Sequence, residues 1–237
     1  YNSMGFVFAP EDNEVKDIIK PVLESYFNRK IEERQYDNGC VQLRSASKYI
    51  IDFFKKLGAA ENKGMPSSLF TATDDAVIGF LQGLFAADGT IGLGSESRNY
   101  IRLNSSSIQL LKDVQLLLLN MGIRSSIYNR STKPKEFKYT SVKGELVIYR
   151  TSGINYEINI SKENVPRFIA RVGFLHSKLK DKSLKLNNFE FYEEHFLDKV
   201  KSIDYVGKKE VYDITEPSTH SFIANGIVVH NCGEVLL

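Results

Sequence analysis

A degenerate internal repeat constrains this chain more than any other feature. The segment CVQLRSASKYIIDFFKKLG (40–58) alternates polar and apolar residues and then takes up helical spacing, and NYEINISKENVPRFIARVG (155–173) does the same. Leu43 falls opposite Ile158, Phe53 opposite Phe168 and Gly58 opposite Gly173, each pair 115 residues apart. Upstream, DIIKPVLESYFNRKI ending at Ile31 resembles LLKDVQLLLLNMGI ending at Ile123, 92 residues on. Each half therefore reads helix, strand, strand, helix. The offset changes by 23 residues (115 less 92), which places a longer hairpin between the two strands of the second half. Pro21 falls inside the first helix, where proline removes a hydrogen bond and favours a kink.

Composition adds bounds. The chain has 237 residues, 42% hydrophobic and 25% charged, which is that of a folded globular protein and not of a disordered or fibrous one. Lys+Arg 31 against Asp+Glu 29 gives a net charge of +2, which excludes a polycationic coat protein but not a local basic face. Cys40 and Cys232 are too few for a disulfide scaffold, so a reducing, cytoplasmic compartment is expected. The apolar run 114–119 falls far short of the ~20 residues of a membrane-spanning helix. The N-terminal stretch YNSMGFVFAPEDNEVK turns acidic too early for a secretory signal. No membrane partner is expected.

Between the halves lies TATDDAVIGFLQGLFAADGTIG (71–92). Thr73 or Asp74 can serve as N-cap, and Asp75 suits the positive end of the helix dipole. From Val77 to Ala87 only Gln82 interrupts the apolar sequence, so burial on most sides is expected. Gly79 and Gly83 share a face and would let another helix backbone come close. Each costs about 1 kcal/mol in helix propensity, which argues for such packing. Gly89 stands as a C′ residue. Asp88 faces the negative end of the dipole, unfavourable by roughly 0.3–1 kcal/mol. A bound cation would reverse that penalty, and an ordinary Asp-Gly turn explains the pair equally well.

FLQGLFAADG (80–89) resembles the signature helix of the LAGLIDADG (DOD-type) homing endonucleases, and the α/β stretch through about residue 185 is similar to that family's repeat in order and length. The resemblance implies a pseudo-two-fold saddle in which two such helices pack side by side. It also implies DNA cleavage with Mg2+ or another divalent cation, and Asp88 as the metal-holding acid. Where the family's pattern has a further acid two positions earlier, this sequence has Ala86. At the 92-residue offset the counterpart of Asp88 would fall upstream of Tyr1. The expectation is therefore that this chain holds about one and a half repeats and, as a monomer, does not cut DNA.

Charge gathers in two places. Residues 128–150 hold Arg130, Lys133, Lys135, Lys138, Lys143 and Arg150 against Glu136 and Glu145, interleaved with Tyr128, Phe137, Tyr139 and Tyr149. A basic hairpin of this kind suits phosphate contacts and reading of guanine edges in double-stranded DNA, although a solvated loop has the same composition. Residues 167–185 carry six further Lys/Arg against Asp181. The family resemblance implies a basic residue near the cleavage centre, for which Lys178 is the best positional match and Lys180 the alternative.

From about Phe196 the texture changes to short alternating stretches, VKSIDYV, VYDIT, SFIA and IVV, separated by the turn signals Gly207-Lys208 and Asn225-Gly226. The end is crowded with chemistry: His230, Asn231, Cys232. An asparagine carboxamide can attack its own backbone carbonyl, forming a succinimide and breaking the chain. The adjacent His230 suits polarisation of that carbonyl and protonation of the leaving amine. Cys232 is a nucleophile as its thiolate.

VYDITEPSTHSFIANGIVVHNC (211–232) closely resembles the C-terminal splicing motifs of inteins. The resemblance makes Asp213 the acid that tunes the attacking nucleophile, His220 the histidine that assists cyclisation, and His230 the penultimate histidine. It makes Asn231 the cyclising residue and Cys232 the first residue of the downstream host. The final CGEVLL resembles the stretch that begins at an active-site cysteine of ribonucleotide reductase large chains, a possible host. The upstream nucleophile and a Thr-x-x-His motif do not occur here, so splicing would need a separate N-terminal portion.

The expected fold is α+β: a LAGLIDADG saddle over 1–195 with its first repeat incomplete, the β-rich C-terminal part of a Hint-type splicing domain over 196–231, and the host's first residues at 232–237. The alternative is a non-catalytic DNA-binding module of the same fold with a relic tail.

Overall fold

A computed structural model describes residues 3–57, 64–93, 99–140, 144–186, 199–212 and 214–231. The chain divides into two compact units, Tyr1–Glu190 and Phe191–Leu237.

The first unit contains both halves of the repeat. In the first half, β1 (Met4–Phe8) leads through a short 3-10 turn into α1 (Asn13–Phe27), followed by β2 (Glu32–Gln35), β3 (Val41–Ser45) and α2 (Lys48–Lys56). The sheet runs β1-β3-β2, antiparallel throughout, with Leu43 opposite Phe6 on one side and Glu33 on the other. Helix α1 continues through Pro21 and ends on Asn28 at φ +47°, a left-handed position that asparagine tolerates. Phe27, Ile31, Leu43 and Ile50 form the core of this half, with Phe6, Phe53 and Phe54 packed against them.

The second half repeats the plan. After α3 (Asp74–Asp88) and β4 (Gly89–Gly92) come β5 (Tyr100–Ser105), α4 (Ile108–Asn120), β6 (Ser126–Asn129), β7 (Glu136–Thr140), β8 (Leu146–Arg150), β9 (Tyr156–Ser161), α5 (Asn164–Arg171) and α6 (Ser177–Leu184). The main sheet is β4-β5-β9-β6, again antiparallel, and Ile158 lies opposite Leu103 and Ile127. Leu43 and Ile158 thus occupy the same place in their sheets, as the 115-residue offset requires. The structure extends the repeat by one strand that the sequence pattern did not reveal: β1 in the first half corresponds to β5 in the second. The extra residues of the second half form β7 and β8, a separate two-stranded ladder.

Alternation along β5 and β9 sends Ile101, Leu103, Ile158 and Ile160 to one face, where α3, α4 and α5 cover them with Leu81, Phe85, Leu111, Val114, Leu118 and Phe168. The Phe85 and Phe168 rings stand 4.7 Å apart and tie α3 to α5. Ser107 caps α4, its hydroxyl oxygen accepting from Leu110 N at 3.2 Å. At the other end of α4, Arg171 donates to Met121 O at 2.7 Å and Arg167 to Gly122 O at 3.4 Å. Two of the six cations in 167–185 therefore satisfy helix-terminal carbonyls.

Helix α3 corrects two expectations. It buries one stripe, Val77, Leu81 and Phe85, and not most of its circumference. Ala76, Gly79 and Ala87 on the other side are exposed, and a Cβ added at Gly79 or Gly83 would meet nothing within 4 Å. Among the described residues no helix packs on the glycines. Thr73 is the N-cap residue, but Gly89 does not end the helix in a left-handed turn. At φ −81° and ψ 151° it passes straight into β4, and a Cβ there would collide with the Phe85 carbonyl. Close approach, not backbone handedness, requires glycine at that position. Gln82, the one polar residue of the run, donates to Val172 O at 2.6 Å and so caps the end of α5.

In the second unit β10 (Ser221–Ala224) and β11 (Ile227–His230) form a hairpin. Asn225 and Gly226 both have positive φ, +50° and +80°, as a type I′ turn demands. The stretches VKSIDYV and VYDIT, expected as strands, form none among the described residues. Ile203, Tyr205, Val211 and Tyr212 are all about nine-tenths exposed, with no layer covering them among the described residues. A strand needs a ladder partner and a buried face, and alternation alone supplies neither. The domain boundary expected at 195 falls in 187–198, outside the described residues.

Candidate functional sites

The residues assigned to cleavage of the polypeptide come together at the end of the β10–β11 hairpin. Cross-strand pairing sets Ser221 opposite His230, so His220 and Asn231 meet just beyond the last rung. Asn231 N donates to His220 O at 2.9 Å. The His220 and His230 rings lie 6.1 Å apart at 30°. His230 Nδ1 sits 2.6 Å from Asn231 O. A carbonyl oxygen only accepts, so Nδ1 carries the proton and the imidazole polarises that carbonyl.

The Asn231 residue is buried, 7% exposed. Its carboxamide leans on the backbone of Glu216 in either amide orientation. With its nitrogen 2.5 Å from His220 O, its oxygen accepts from Glu216 N at 3.3 Å; turned over, the nitrogen is 3.4 Å from Glu216 O. The first arrangement satisfies both ends of the amide. Asp213 and Cys232 lie outside the described residues.

Glu216 was not singled out by sequence. Its carboxylate accepts from Ser218 N at 3.0 Å, Thr219 N at 2.5 Å and Thr219 Oγ1 at 2.7 Å. These bonds, the Thr219 hydroxyl first, hold its pKa down to about 2. Only the register of the turn, invisible in the residue string, reveals this role.

In the first unit Asp88 is exposed at the last position of α3. Lys178 is exposed in the first turn of α6, which packs against β4, the strand that Asp88 and Gly89 lead into. The start of α6 is anchored on the first half of the repeat. His176 Nδ1 accepts from Lys178 N at 3.1 Å, which leaves the proton on Nε2, 2.9 Å from Glu11 O and 3.2 Å from Asp12 Oδ1. Ser177 N donates to Glu14 at 3.0 Å, and bonding from the Ser177 hydroxyl first and this N–H second lowers the Glu14 pKa. Among the described residues no group of three or more His, Cys, Asp or Glu side chains could by itself hold a metal ion.

The basic arm exists, but its charges are not equivalent. Backbone bonds from Arg130 N to Asn155 O and from Thr132 N to Gly153 O, both 2.8 Å, lead from the main sheet towards β7 and β8. Gly153 has φ +72°, and a Cβ there would run into Thr132 O. In the arm, Phe137, Tyr139, Val147 and Tyr149 share one face, while Glu136, Lys138, Ile148 and Arg150 share the other. Arg150 pairs with Glu136 at 2.5 Å. Lys133, Lys135 and Lys138 are exposed and make no ion pair among the described residues. Lys143 lies outside them.

A second basic feature escaped the sequence reading. On the sheet face turned away from the helices, Glu157 of β9 is 5% exposed and lies between Arg102 of β5 at 3.4 Å and Arg130 at 3.2 Å. Each guanidinium also covers a tyrosine ring, Arg102 over Tyr100 at 5.5 Å and Arg130 over Tyr128 at 5.0 Å. Arg102 Nε has no acceptor among the described residues. In the string, Glu157 is one polar residue of an alternating strand; the three-strand register makes it a bridge.

The matched unit begins in the first turn of α3 and ends just beyond α5. Residues 75–173 match the LAGLIDADG-like domain. Over a longer span than this LAGLIDADG-like stretch, 204 residues, the chain is 31% identical to the ribonucleoside-diphosphate reductase NrdEB subunit alpha of Bacillus subtilis, covering 80% of this chain and 18% of that protein. It is 33% identical over 196 residues to a DNA polymerase of Thermococcus sp., covering 78% of this chain and 11% of the polymerase. The chain thus spans less than a fifth of the length of these relatives. Among solved structures it is similar to I-DmoI, a homing endonuclease crystallised with DNA and Mn, at 20% identity and a TM-score of 0.49, covering 72% of this chain and 80% of that one. No helix among the described residues is long and apolar enough to cross a membrane.

Proposed function

We propose that the chain is the C-terminal part of an intein that carries a LAGLIDADG homing endonuclease body. The observation that carries this reading is the contact of His230 Nδ1 with the Asn231 carbonyl oxygen beside a buried Asn231 carboxamide. In the proposed step Asn231 Nδ2 attacks its own carbonyl carbon. The new C–N bond closes a succinimide as the bond to Cys232 breaks, and the proton lost by the carboxamide is balanced by one gained by the leaving amine. His230 stabilises the developing oxyanion from Nδ1. His220, on the other side of the hairpin, assists, and Asp213 and Cys232 complete the splicing chemistry when the N-terminal portion is supplied. Similarity to enzymes as unlike as a reductase subunit and a DNA polymerase, over 204 and 196 residues respectively, supports an element lodged in unrelated hosts.

For the body, the proposed substrate is double-stranded DNA. Arg102 and Arg130 on the open sheet face and Lys133, Lys135, Lys138, Lys143 and Arg150 on the arm would make the contacts. Mg2+ or a similar cation fits Asp88, because that ion is commonly held by one or two carboxylates and completes its shell with water and phosphate oxygens. When bound it would supply charge stabilisation at the phosphate being cut. Lys178, or Lys180, would neutralise the phosphate from α6. That Asp88 belongs to no metal-holding cluster among the described residues also favours a second reading, a DNA-binding module without cleavage.

Mass spectrometry of the incubated chain tests the tail. Loss of the peptide CGEVLL is expected, and Asn231→Ala is expected to abolish it; release that persists at that junction removes Asn231 from the mechanism. For the body, cation-dependent cutting by a chain completed with its N-terminal portion, lost in Asp88→Asn, separates the two readings.

A further inference from the structure

Asn231 and the two histidines do not hold themselves in place. The carboxamide leans on the backbone of Glu216 and His220, and the Asn231 N–H is taken by the His220 carbonyl. His220 itself sits at φ +53°, a left-handed conformation that a residue with a Cβ does not keep unaided. The segment between Glu216 and His220 must therefore be fixed by something other than the β10–β11 ladder, which begins only at Ser221.

We infer that Glu216 is a positioning residue for cyclisation of Asn231: its carboxylate gathers Ser218 N, Thr219 N and the Thr219 hydroxyl, and so locks the turn that presents its own backbone and His220 to the carboxamide. This rests on the reading of the tail as self-cleaving. Attack on a carbonyl requires the nitrogen to stand over its carbon, and a displacement of about 1 Å costs on the order of a hundredfold in rate. A carboxylate held ionised down to about pH 2 does not let go of the turn in the range where imidazoles change charge. The lock therefore holds throughout that range. Thr219 shares the work, since its hydroxyl bonds Glu216 and lies 3.0 Å from Ser221 Oγ at the first rung of the hairpin.

The test compares tail release by the full chain and its Glu216→Ala, Thr219→Val and Thr219→Ser variants, with Val229→Ala as a control that weakens the hairpin elsewhere. Two products are counted. In one, Nδ2 attacks the backbone carbonyl and CGEVLL is released. In the other, the Cys232 amide nitrogen attacks the side-chain carbonyl, ammonia leaves, and hydrolysis yields an uncut chain with acid in place of amide at position 231. Glu216→Ala and Thr219→Val are expected to slow release by about tenfold or more and to shift the ratio towards the uncut acid. Thr219→Ser, which keeps the hydroxyl, is expected to retain both rate and ratio. Val229→Ala is expected to lower stability and leave the ratio unchanged. Unaltered rate and ratio in Glu216→Ala would overturn the inference, as would the same shift in Val229→Ala. No release from the unsubstituted chain would sink the underlying reading, and this inference with it.

Discussion

The contribution of Glu157 should change sign with its neighbours. At 3.4 Å and 3.2 Å from Arg102 and Arg130, the carboxylate has a gross attraction to each of about 5 kcal/mol at an effective dielectric of ~20. Burying it at 5% exposure costs several kcal/mol in the other direction. The arginine side chains are 36% and 54% exposed, so water screens the pairs and can rehydrate both cations when the acid is removed. Glu157→Gln in the native background should therefore cost only about 1–2 kcal/mol. Replacing both arginines by methionine leaves a buried charge without a counter-ion, and should cost about 3–5 kcal/mol. On that background Glu157→Gln removes the stranded charge and should restore about 2 kcal/mol. Urea unfolding of the four chains, followed by far-ultraviolet circular dichroism, gives the cycle directly. An equal cost for Glu157→Gln in both backgrounds would refute the argument, because the acid would then act through packing and not through the two cations.

Two further outcomes follow from the core and the surface. Phe168, fully buried between Phe85 and Phe174, should cost about 3–5 kcal/mol as Phe168→Ala and lower Tm by roughly 10 °C, whereas Val22→Ala on the open side of α1 should stay within about 0.5 kcal/mol. Glu33, held by Lys16 and Lys20, has its pKa lowered from 4.5 to about 2. Its folded value is the depressed one, so its contribution is present above 4.5 and is lost as pH falls through about 2. Acid titration at low salt should show a shallower decline in Glu33→Gln, and high salt should erase the difference.

The sequence disclosed what depends on local period. The helices from Asn13, Lys48, Ile108 and Asn164, and the strands between them, follow apolar spacing that both halves share. What it concealed depends on pairing between distant segments. Strand β1 needs β3, thirty-odd residues on, before Phe6 has a partner, and nothing in MGFVF announces that pairing. Glu157 and Glu216 are ordinary polar letters until register or a turn closes around them. In the tail the opposite error arose, since VKSIDYV and VYDIT alternate well but gain no ladder among the described residues. Of the residues proposed for chain cleavage, His230 and Asn231 stand out as neighbours and His220 through the resemblance to a splicing motif, and hairpin pairing across Asn225-Gly226 converts their order into proximity.

The two-faced arm imposes a rule of parity on change. Aromatic rings with Val147 occupy one side of β7 and β8, and the charged groups with Ile148 the other, because alternate residues point in opposite directions. Lengthening each strand by two residues moves the tip outward by about 7 Å and keeps every group on its own side. A single-residue change exchanges the sides beyond it. Variation in reach can therefore accumulate in even steps without rewriting what the arm presents, whereas odd steps remake its surface at one stroke.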